Sequence, residues 1–342
     1  MDKKRSVVTG ATGLVGSHLV AELVRRGATD ITLPVRDASR LDRLHRTLAR
    51  EGVDASGVRL RVVETELTDP IALKEAFEGV DTVYNCAAAV SLGAMDETAL
   101  IEGNIAIAKH VVNACLAAGV GKLVHVSSIA ALGSAAEGEE YIDESRNPES
   151  LAAMPAYYAG KFLSENEVWR GVACGLRAVV VNPAVVLGAG DWRTGSTAMI
   201  PTMASGVPFY TDGVTAMVDV RDVARAMIDL GECAAAEGER FILAGQNIGY
   251  REFLTLAAQA AGKRPPRFKV GGALLGAAWR GARLWERITG SRLLFTRDVA
   301  QALMTQTFYT TDKIRRTIGF EFTPLALTID RVVKQYLAER NG

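Results

Sequence analysis

The sequence predicts an α/β fold in which a doubly wound parallel sheet is joined to a smaller, mixed and mainly helical C-terminal part. Short Val-rich runs alternate with longer segments of helical period, and this alternation is typical of βαβ units. The runs are apolar throughout, as expected for strands buried on both faces. Because the alternation stops after Val181, we expect residues 1–181 to form the sheet and residues 182–342 to form mainly the second part, with segments near 216–243 returning to the sheet.

The expected strands and helices alternate along the first 181 residues. The strands are Ser6–Val8, Ile31–Val35, Val58–Val63, Thr82–Cys86, Lys122–Val126 and Ala178–Val181. The helices are Gly13–Arg26, Pro70–Glu78, Glu97–Ala118 and Pro155–Ala173. Residues 182–212 are rich in Gly, Thr, Ser and Pro, which predicts loops with a short helix near 196–205. Strands at 216–218 and 239–243 follow, with a helix from Arg221 between them.

The charge of the chain is balanced, since 39 basic and 39 acidic residues among 342 give a formal net charge of zero. With 49% hydrophobic residues, this composition excludes a disordered chain and disfavours a nucleic-acid binder. The balance is uneven locally, because residues 263–297 hold nine basic residues and one acidic residue. This basic stretch is compatible with weak peripheral contact with an anionic membrane, with an anionic substrate, or with a solvated helix face.

Four cysteines are scattered singly, so the sequence predicts neither a zinc cluster nor a disulfide framework. The charged N-terminus passes directly into the first strand, without the apolar stretch of a signal peptide. The longest apolar run, residues 271–279, falls short of the roughly 20 residues that a membrane span needs. We therefore expect a cytoplasmic protein with no membrane span and no bound metal.

A glycine-rich turn, TGATGLVG at residues 9–16, follows the first strand and opens the first helix. Gly10 permits the tight turn, Gly13 lets the backbone approach a pyrophosphate, and Gly16 allows close packing of the helix on the sheet. The helix N-terminus points its unpaired N–H groups and the positive end of its dipole at the phosphates. In this context the turn predicts a dinucleotide site.

The end of the second strand predicts a preference for NADP over NAD. A carboxylate at this position would bind both ribose hydroxyls of NAD, but Val35 stands there. Arg36 offers a planar fork suited to a 2′-phosphate, and Arg40 follows it within the same short segment. A surface pair between Arg36 and Asp37 is the alternative interpretation.

Tyr157 and Lys161 lie four residues apart in a helical segment that Pro155 opens, so their side chains share one face. The ammonium favours the phenolate and lowers the pKa of the phenol from its usual value of about 10. The pair can give a proton to a carbonyl oxygen as hydride reaches the carbon, or take one in reverse. Ser127 and Ser128, at the end of the fifth strand, supply hydroxyls that can orient the carbonyl. A surface pair and an ordinary strand end are the alternatives.

Together these segments resemble the extended (atypical) short-chain dehydrogenase/reductase family of the NAD-dependent epimerase/dehydratase superfamily. The resemblance is closest to the branch of dihydroflavonol reductases and 3β-hydroxysteroid dehydrogenases. It implies a Rossmann sheet of about seven strands and a smaller C-terminal substrate-binding part. The matching segments cover nearly the whole chain in the family order: TGATGLVG at 9–16, VRD at 35–37, ELTDP at 66–70, NCAAA at 85–89, HVSS at 125–128, YYAGK at 157–161, VNPAVVLG at 181–188 and VDVRDVARAM at 218–227.

The resemblance also implies roles for single residues. Tyr157 would be the proton donor and acceptor, and Lys161 would hold the nicotinamide ribose and tune Tyr157. Ser128, preferred to Ser127, would bind the carbonyl oxygen, and Asn104 would support the geometry. Glu66, where the family usually carries Asp, would sit at the adenine. The remaining implied cofactor contacts are Gly10, Thr12, Gly13, Leu14, Val15, Leu67, Cys86, Ala87, Ala88, Pro183 and Val186.

The predicted function is an NADP-dependent oxidoreductase that moves hydride between the nicotinamide and a carbonyl or alcohol of a hydrophobic or mixed small molecule. One alternative is a nucleotide-sugar epimerase or dehydratase that retains its NAD(P). Asn182-Pro183 disfavours it, because many such epimerases carry Arg-Pro there. The other alternative is a non-catalytic NADP-sensing protein.

The expected substrate pocket is largely apolar and aromatic, which suggests a hydrophobic or mixed substrate. Ordinary packing is the alternative for its two large aromatic residues, Trp192 and Tyr210. A homodimer through the helices at 97–118 and 155–173 is also expected, since such dimers are common in the family. The predicted substrate residues are Ser91, Trp192, Ser196, Met199 and Tyr210.

Overall fold

The computed structural model describes residues 4–88, 97–135, 137–151, 154–276, 279 and 297–341. Ser91, predicted to contact the substrate, and most of the basic stretch at 263–297 lie outside the described residues. The strands of the described part, in chain order, are β1 (Arg5–Thr9), β2 (Asp30–Val35), β3 (Arg59–Glu64), β4 (Thr82–Asn85), β5 (Lys122–Val126), β6 (Tyr141–Ile142), β7 (Ala178–Pro183), β8 (Val185–Leu187), β9 (Phe209–Tyr210), β10 (Val214–Asp219), β11 (Glu239–Leu243), β12 (Gln246–Gly249), β13 (Phe268–Lys269) and β14 (Phe308–Tyr309). The helices are α1 (Leu14–Arg25), α2 (Leu41–Arg50), α3 (Pro70–Phe77), α4 (Glu97–Ala118), α5 (Ala156–Ala173), α6 (Met199–Ala204), α7 (Val220–Glu232), α8 (Tyr250–Ala260), α9 (Arg297–Ala302), α10 (Asp312–Ile318) and α11 (Leu325–Asn341).

Seven strands form one parallel sheet in the order β3-β2-β1-β4-β5-β7-β11. The chain moves outward from β1 to β3, returns to β4 beside β1, and then moves outward on the other side. The strand order therefore reverses between β1 and β4. Open α/β sheets bind ligands in the crevice beyond the carboxyl ends of the strands at such a point. This doubly wound sheet confirms the predicted fold class.

Helices cover both faces of the sheet and bury its apolar side chains. On one face, α1, α2 and α7 pack over a core that includes Leu19, Leu44 and Met227. On the other face, α3, α4 and α5 cover a core that includes Phe77 and Val112. Each fully buried side chain of this size stabilises the fold by about 1.5–3 kcal/mol relative to an exposed one. The two cores hold the loops at the carboxyl ends of the strands on a rigid support.

A third core joins the C-terminal elements, where Met217 of β10, Phe253 of α8 and Val332 of α11 are buried together. The expectation that the strand near 216 returns to the central sheet is wrong, because β10 pairs with β8 and β12 in a separate three-stranded sheet. The reason is that β8 starts two residues after β7 ends and offers β10 a partner beyond the central sheet. The strand at 239–243 does return, as β11 beside β7. The division into two domains at residue 181 stays a prediction.

Helix α2 has no counterpart among the sequence predictions. Of its ten residues only Leu44, Thr47 and Leu48 are buried, and arginines occupy much of the rest. Because six of its ten residues are polar or charged, the helix contains no apolar run that marks it in the sequence. Among the described helices, none combines the length and the apolar character that a membrane span requires.

Candidate active site

The glycine-rich turn between β1 and α1 brings the backbone unusually close to the loop after β4. Gly10 has φ +67°, and a Cβ at this position would lie 2.8 Å from the amide nitrogen of Ala87. A Cβ at Gly16 would collide with the carbonyl oxygen of Gly10, and one at Gly13 would lie 3.2 Å from the same oxygen. Only glycine is compatible with both the left-handed backbone and the close approach at Gly10.

The N-terminus of α1 opens without a side-chain cap. Gly13 is the N-cap residue, no side chain bonds to the first N–H groups, and the first turn contains no acidic residue. The backbone N–H groups of a first helical turn are orphan donors, and the helix dipole favours an anion beside them. The turn therefore fits a bound phosphate or pyrophosphate.

One large cavity, of about 2310 Å³, runs past this helix N-terminus. It extends from the arginines at the end of β2 to the first turns of α5 and to the C-terminal elements. The cavity brings together most of the residues that the sequence predicts for the site. Those lining it are Thr12, Gly13, Leu14, Val15, Arg36, Arg40, Cys86, Ala88, Ser128, Tyr157, Lys161, Pro183, Val186, Trp192 and Ser196.

Several predicted site residues lie outside the cavity lining. Gly10 and Ala87 form the backbone contact beneath it, and Glu66 and Leu67 follow β3. Asn104 lies on α4, which packs against α5.

For two predicted substrate residues the structure indicates other roles. Met199 packs against the third core, and the ring of Tyr210 lies under the guanidinium of Arg251, 4.9 Å from its centroid. Neither side chain lines the cavity. Both belong to short elements that pack against distant parts of the chain. Helix α6 contacts α8, and β9 pairs with β13, so local sequence does not reveal these contacts.

The hydroxyl of Ser128 lies close enough to the phenol of Tyr157 to act on it as a hydrogen-bonding partner. Tyr157 keeps 37% of its surface accessible, and it faces the cavity. Desolvation nevertheless raises the pKa of its phenol above the usual value, while the hydrogen bond from Ser128 opposes this shift. The sequence predicts the opposite direction, a pKa lowered by Lys161. In the structure the burial of the phenol outweighs the contribution of Ser128, the lowering cause among the described residues.

Lys161 lies one helical turn after Tyr157 and is 7% exposed. Burial lowers the pKa of its ammonium to about 8, and the charge of Glu165 acts in the opposite direction. The thiol of Cys86 and the imidazole of His125 also face Lys161, and the pKa of His125 falls to about 3 because of burial and the lysine charge. Lys161 therefore sits in a largely apolar and neutral site with Glu165 nearby.

Ser128 is fixed by its own backbone and by a neighbouring strand. Its hydroxyl accepts a hydrogen bond from the amide nitrogen of Ala130 at 3.1 Å, and its carbonyl accepts one from the side chain of Asn182 at 3.0 Å. Ser127 also lines the cavity, and its buried hydroxyl has no hydrogen-bond partner in the described part of the chain. Of the two serines, Ser128 is the one that interacts with the phenol of Tyr157.

Asn104 lies on α4 where this helix packs against α5. It is 5% exposed, and its side-chain amide donates to the carbonyl of Leu100 at 2.9 Å. A Cβ at Gly160 would lie 3.9 Å from the Cβ of Asn104 and 3.4 Å from the Cα of Ile101. These are ordinary van der Waals distances, so α4 and α5 pack closely beside Lys161.

The arginines at the end of β2 keep their charged ends at the cavity. The side chain of Arg36 is 71% exposed, and its Nε lies 4.0 Å from Glu66. Arg40 pairs with Asp37 at 3.4 Å. Asp37 also accepts a hydrogen bond from the amide nitrogen of Ser39, so it holds the backbone that carries Arg40. The alternative pair of Arg36 with Asp37 does not occur among the described ion pairs.

Three further arginines, all on α2, line the cavity: Arg43, Arg46 and Arg50. Arg50 bonds to the Glu339 carboxylate at 2.6 Å, and Glu339 also accepts from the indole nitrogen of Trp192 at 2.8 Å. Glu339 lies near the end of α11, so the C-terminal helix reaches the cavity wall. The signal in the sequence is their spacing at i, i+3 and i+7, which places all three on one face of a helix.

Three tyrosines, Tyr158, Tyr250 and Tyr309, line the cavity beside Tyr157. The rings of Tyr157 and Tyr158 are 6.1 Å apart in an edge-to-face arrangement, and Tyr158 is 42% exposed. Tyr158 also interacts electrostatically with the other two phenols. No local sequence pattern joins them, because they come from α5, α8 and β14.

Comparison with known proteins identifies the class of this chain. A model of the NAD dependent epimerase/dehydratase family matches residues 6–244. A putative dihydroflavonol 4-reductase of Synechocystis sp. is 28% identical over 268 residues, which cover 77% of this chain and 74% of that protein. Cinnamoyl-CoA reductase 1 of Arabidopsis thaliana is 31% identical over 258 residues, 70% of each chain. The crystal structure of a protein named gox2253 is similar with a TM-score of 0.80 and 29% identity, covering 98% of both chains.

The fold and these relatives define an oxidoreductase of the reductase and epimerase type that works with a nicotinamide cofactor. More specifically, the chain belongs to the NAD dependent epimerase/dehydratase family. The predicted resemblance to the extended short-chain dehydrogenases/reductases is confirmed, including the branch that contains dihydroflavonol reductases.

Proposed function

We propose that this protein is an NADP-dependent reductase of a ketone or aldehyde, with the reverse alcohol oxidation as its other direction. The observation that carries the proposal is that Ser128, Tyr157 and buried Lys161 line one cavity, which also contains the uncapped N-terminus of α1. This arrangement combines proton-transfer groups with a dinucleotide cradle in one enclosed space.

The residues divide the chemistry between them. A bound nicotinamide supplies or accepts a hydride at the substrate carbon. The hydroxyls of Ser128 and Tyr157 hold the substrate oxygen, and the phenol of Tyr157 gives its proton to that oxygen during reduction. The resulting phenolate is stabilised by the ammonium of Lys161.

The protonation state of Tyr157 supports reduction near neutral pH. Because the pKa of the phenol is raised, it carries its proton at pH 7 and can donate it. Alcohol oxidation instead requires the phenolate, so this direction gains from alkaline pH until Lys161 loses its proton. The pKa of Lys161, about 8, limits that gain.

The cofactor end of the cavity supports NADP. Arg36 and Arg40 line it where β2 ends, and Val35 provides no carboxylate that would repel a 2′-phosphate. Two guanidinium groups facing one phosphate make charge-assisted hydrogen bonds, which are stronger than neutral ones.

The substrate end supports an uncharged or mixed small molecule. Tyr158, Tyr250 and Tyr309 offer rings and hydroxyls there. The backbone bonds of Val214 to Thr305 and Thr307 bring further neutral side chains to the same end of the cavity. Aromatic lining with a few polar groups suits a hydrophobic carbonyl compound.

A panel of ketones, aldehydes and nucleotide sugars, monitored by NADPH absorbance, tests the proposal. The purified protein is first extracted and its released cofactor measured. We expect NADPH consumption with a hydrophobic ketone or aldehyde and little retained cofactor. Conversion of a nucleotide sugar without net consumption of cofactor, together with tightly retained NAD(P), would instead identify an epimerase or dehydratase.

A further inference from the structure

Glu165 is a buried carboxylate on the same helix as Tyr157 and Lys161. It follows Lys161 by one helical turn and is 1% exposed. Its oxygens accept hydrogen bonds from Arg240 at 3.0 Å, Asn182 at 2.8 Å and Trp169 at 3.2 Å. A buried carboxylate is costly unless donors surround it, and here three side chains do so.

Asn182 connects this carboxylate to the serine of the proposed mechanism. Its Nδ2 donates both to Glu165 and to the backbone carbonyl of Ser128, at 2.8 and 3.0 Å. Asn182 lies at the end of β7 and is fully buried. Because one amide group spans both acceptors, the position of Glu165 is transmitted to Ser128, whose hydroxyl contacts Tyr157.

Arg240 connects the same carboxylate to the cavity wall. Besides the ion pair with Glu165, its guanidinium donates to the backbone carbonyls of Glu144 and Arg146, each at 2.7 Å, and to the side chain of Asn147 at 3.0 Å. Arg146 and Asn147 line the large cavity. Every guanidinium nitrogen of Arg240 thus has an acceptor, which holds strand β11, helix α5 and this loop together.

Glu165 also provides the negative charge that faces Lys161 within the described part of the chain. The other titratable groups facing Lys161 are Cys86 after β4 and His125 on β5. Burial raises the pKa of the Cys86 thiol and lowers that of His125 to about 3, so both are neutral near pH 7. From α4, the residues that pack beside Lys161 are Ile101 and Asn104, which do not titrate.

We propose that Glu165 is a positioning residue: its carboxylate keeps Lys161 in the ammonium form and, through Asn182 and Arg240, fixes Ser128 and the loop at 144–147. This inference rests on the proposed function, in which the Lys161 ammonium stabilises the Tyr157 phenolate. Arg240 pairs with the same carboxylate, so its positive charge should act on Lys161 in the opposite sense to Glu165.

The test measures the pH profile of kcat/KM with the best carbonyl substrate of the proposed panel. Glu165→Gln keeps the shape of the side chain but removes its charge, so Lys161 should lose its proton at lower pH. An opposite charge at close range typically shifts a pKa by about 1–3 units. We therefore expect the alkaline limb of the pH profile to move to lower pH by about that amount. Arg240→Met removes the opposing charge and should move the limb in the other direction.

Matched variants separate this role from a merely structural one. Glu167→Gln, on the same helix but paired with Arg170, is the control and should leave the profile unchanged. Glu165→Asp keeps the charge, so its alkaline limb should stay at the wild-type pH although its kcat should be lower. If Glu165→Gln fails to fold, the double variant Glu165→Gln/Arg240→Met removes both buried charges and should still lower the limb.

Unchanged alkaline limbs in Glu165→Gln and in the double variant would overturn the inference. Limbs that move in the same direction in Glu165→Gln and Arg240→Met would also contradict it. Failure of the proposed function has a different signature, since Tyr157→Phe would then retain ordinary turnover. The role of Glu165 can therefore be tested whenever the turnover of this protein depends on Tyr157.

Discussion

The side-chain amide of Asn85 donates a hydrogen bond of 2.9 Å to Nδ1 of His125, across two neighbouring central strands. The hydroxyl of Thr9 donates to the other side of this amide at 2.6 Å, which fixes its orientation. The histidine must therefore be unprotonated at Nδ1, and all three side chains are buried. The network lies in the centre of the sheet, beside Lys161.

This relationship predicts acid-sensitive stability. The pKa of His125 is lowered to about 3 by burial, while an unfolded histidine has a pKa of about 6.5. Between these values the unfolded chain binds a proton that the folded chain does not. The free energy of unfolding should therefore fall as pH decreases below about 6.5, by up to about 1.4 kcal/mol per pH unit for this group.

Urea unfolding at pH 7 and pH 5 measures this dependence. His125→Gln removes the titrating group, so the difference in unfolding free energy between the two pH values should shrink. His45→Gln, which alters an exposed histidine of α2, is the matched control. Equal pH dependence in His125→Gln and the wild-type protein would contradict the prediction.

Tyr157→Phe should reduce kcat by roughly 10²–10⁴-fold, because it removes the proposed proton donor while keeping the ring. The KM for NADPH should change little, since the cradle at α1 is untouched. Steady-state kinetics with the best substrate of the panel measures both values. Tyr141→Phe alters a tyrosine that is 47% exposed and outside the cavity lining, so it serves as the control.

Arg36→Ala should raise the KM for NADPH by about 10-fold or more and leave the KM for NADH nearly unchanged. A hydrogen bond to a charged group contributes about 1.5–3 kcal/mol, and exposure of Arg36 places the effect toward the lower end. Arg61→Ala changes an exposed arginine of β3 and is the control. A constant ratio of the two KM values in Arg36→Ala would argue against the NADP preference.

Gly10→Ala should destabilise the fold and weaken cofactor binding. The new Cβ would meet the Ala87 backbone at 2.8 Å and would occupy a left-handed backbone position. Gly27→Ala is a close control, because Gly27 also has positive φ, +84°, but nothing lies within 4 Å of its Cβ position. The melting temperature of Gly10→Ala should fall further than that of Gly27→Ala. Equal losses would show that the contact with Ala87 is unimportant.

The central sheet can be predicted from sequence because its strands are buried on both faces and are therefore continuously apolar. Lys122–Val126 and Glu97–Ala118 have the same bounds in the prediction and in the structure. Helix α2 escapes prediction because it is short and six of its ten residues are polar or charged. The sheet formed by β8, β10 and β12 also escapes it, since its pairings depend on where the chain leaves the central sheet.

The candidate site can be predicted where its residues share one local element. Tyr157 and Lys161 are one turn apart, and the glycine-rich turn is continuous in sequence. The contacts that the sequence cannot reveal join distant elements, such as Arg240 to Glu165 across 75 residues of chain. The direction of the Tyr157 pKa also requires the structure, because the degree of burial decides it.

The contact of Glu339 with Arg50 and Trp192 has a practical consequence for handling the protein. Glu339 lies in the final turn of α11, so deletion of the last few residues would remove a carboxylate from the wall of the cavity that we assign to the cofactor. Kinetic comparisons among variants are therefore best made on chains with an unmodified C-terminal helix.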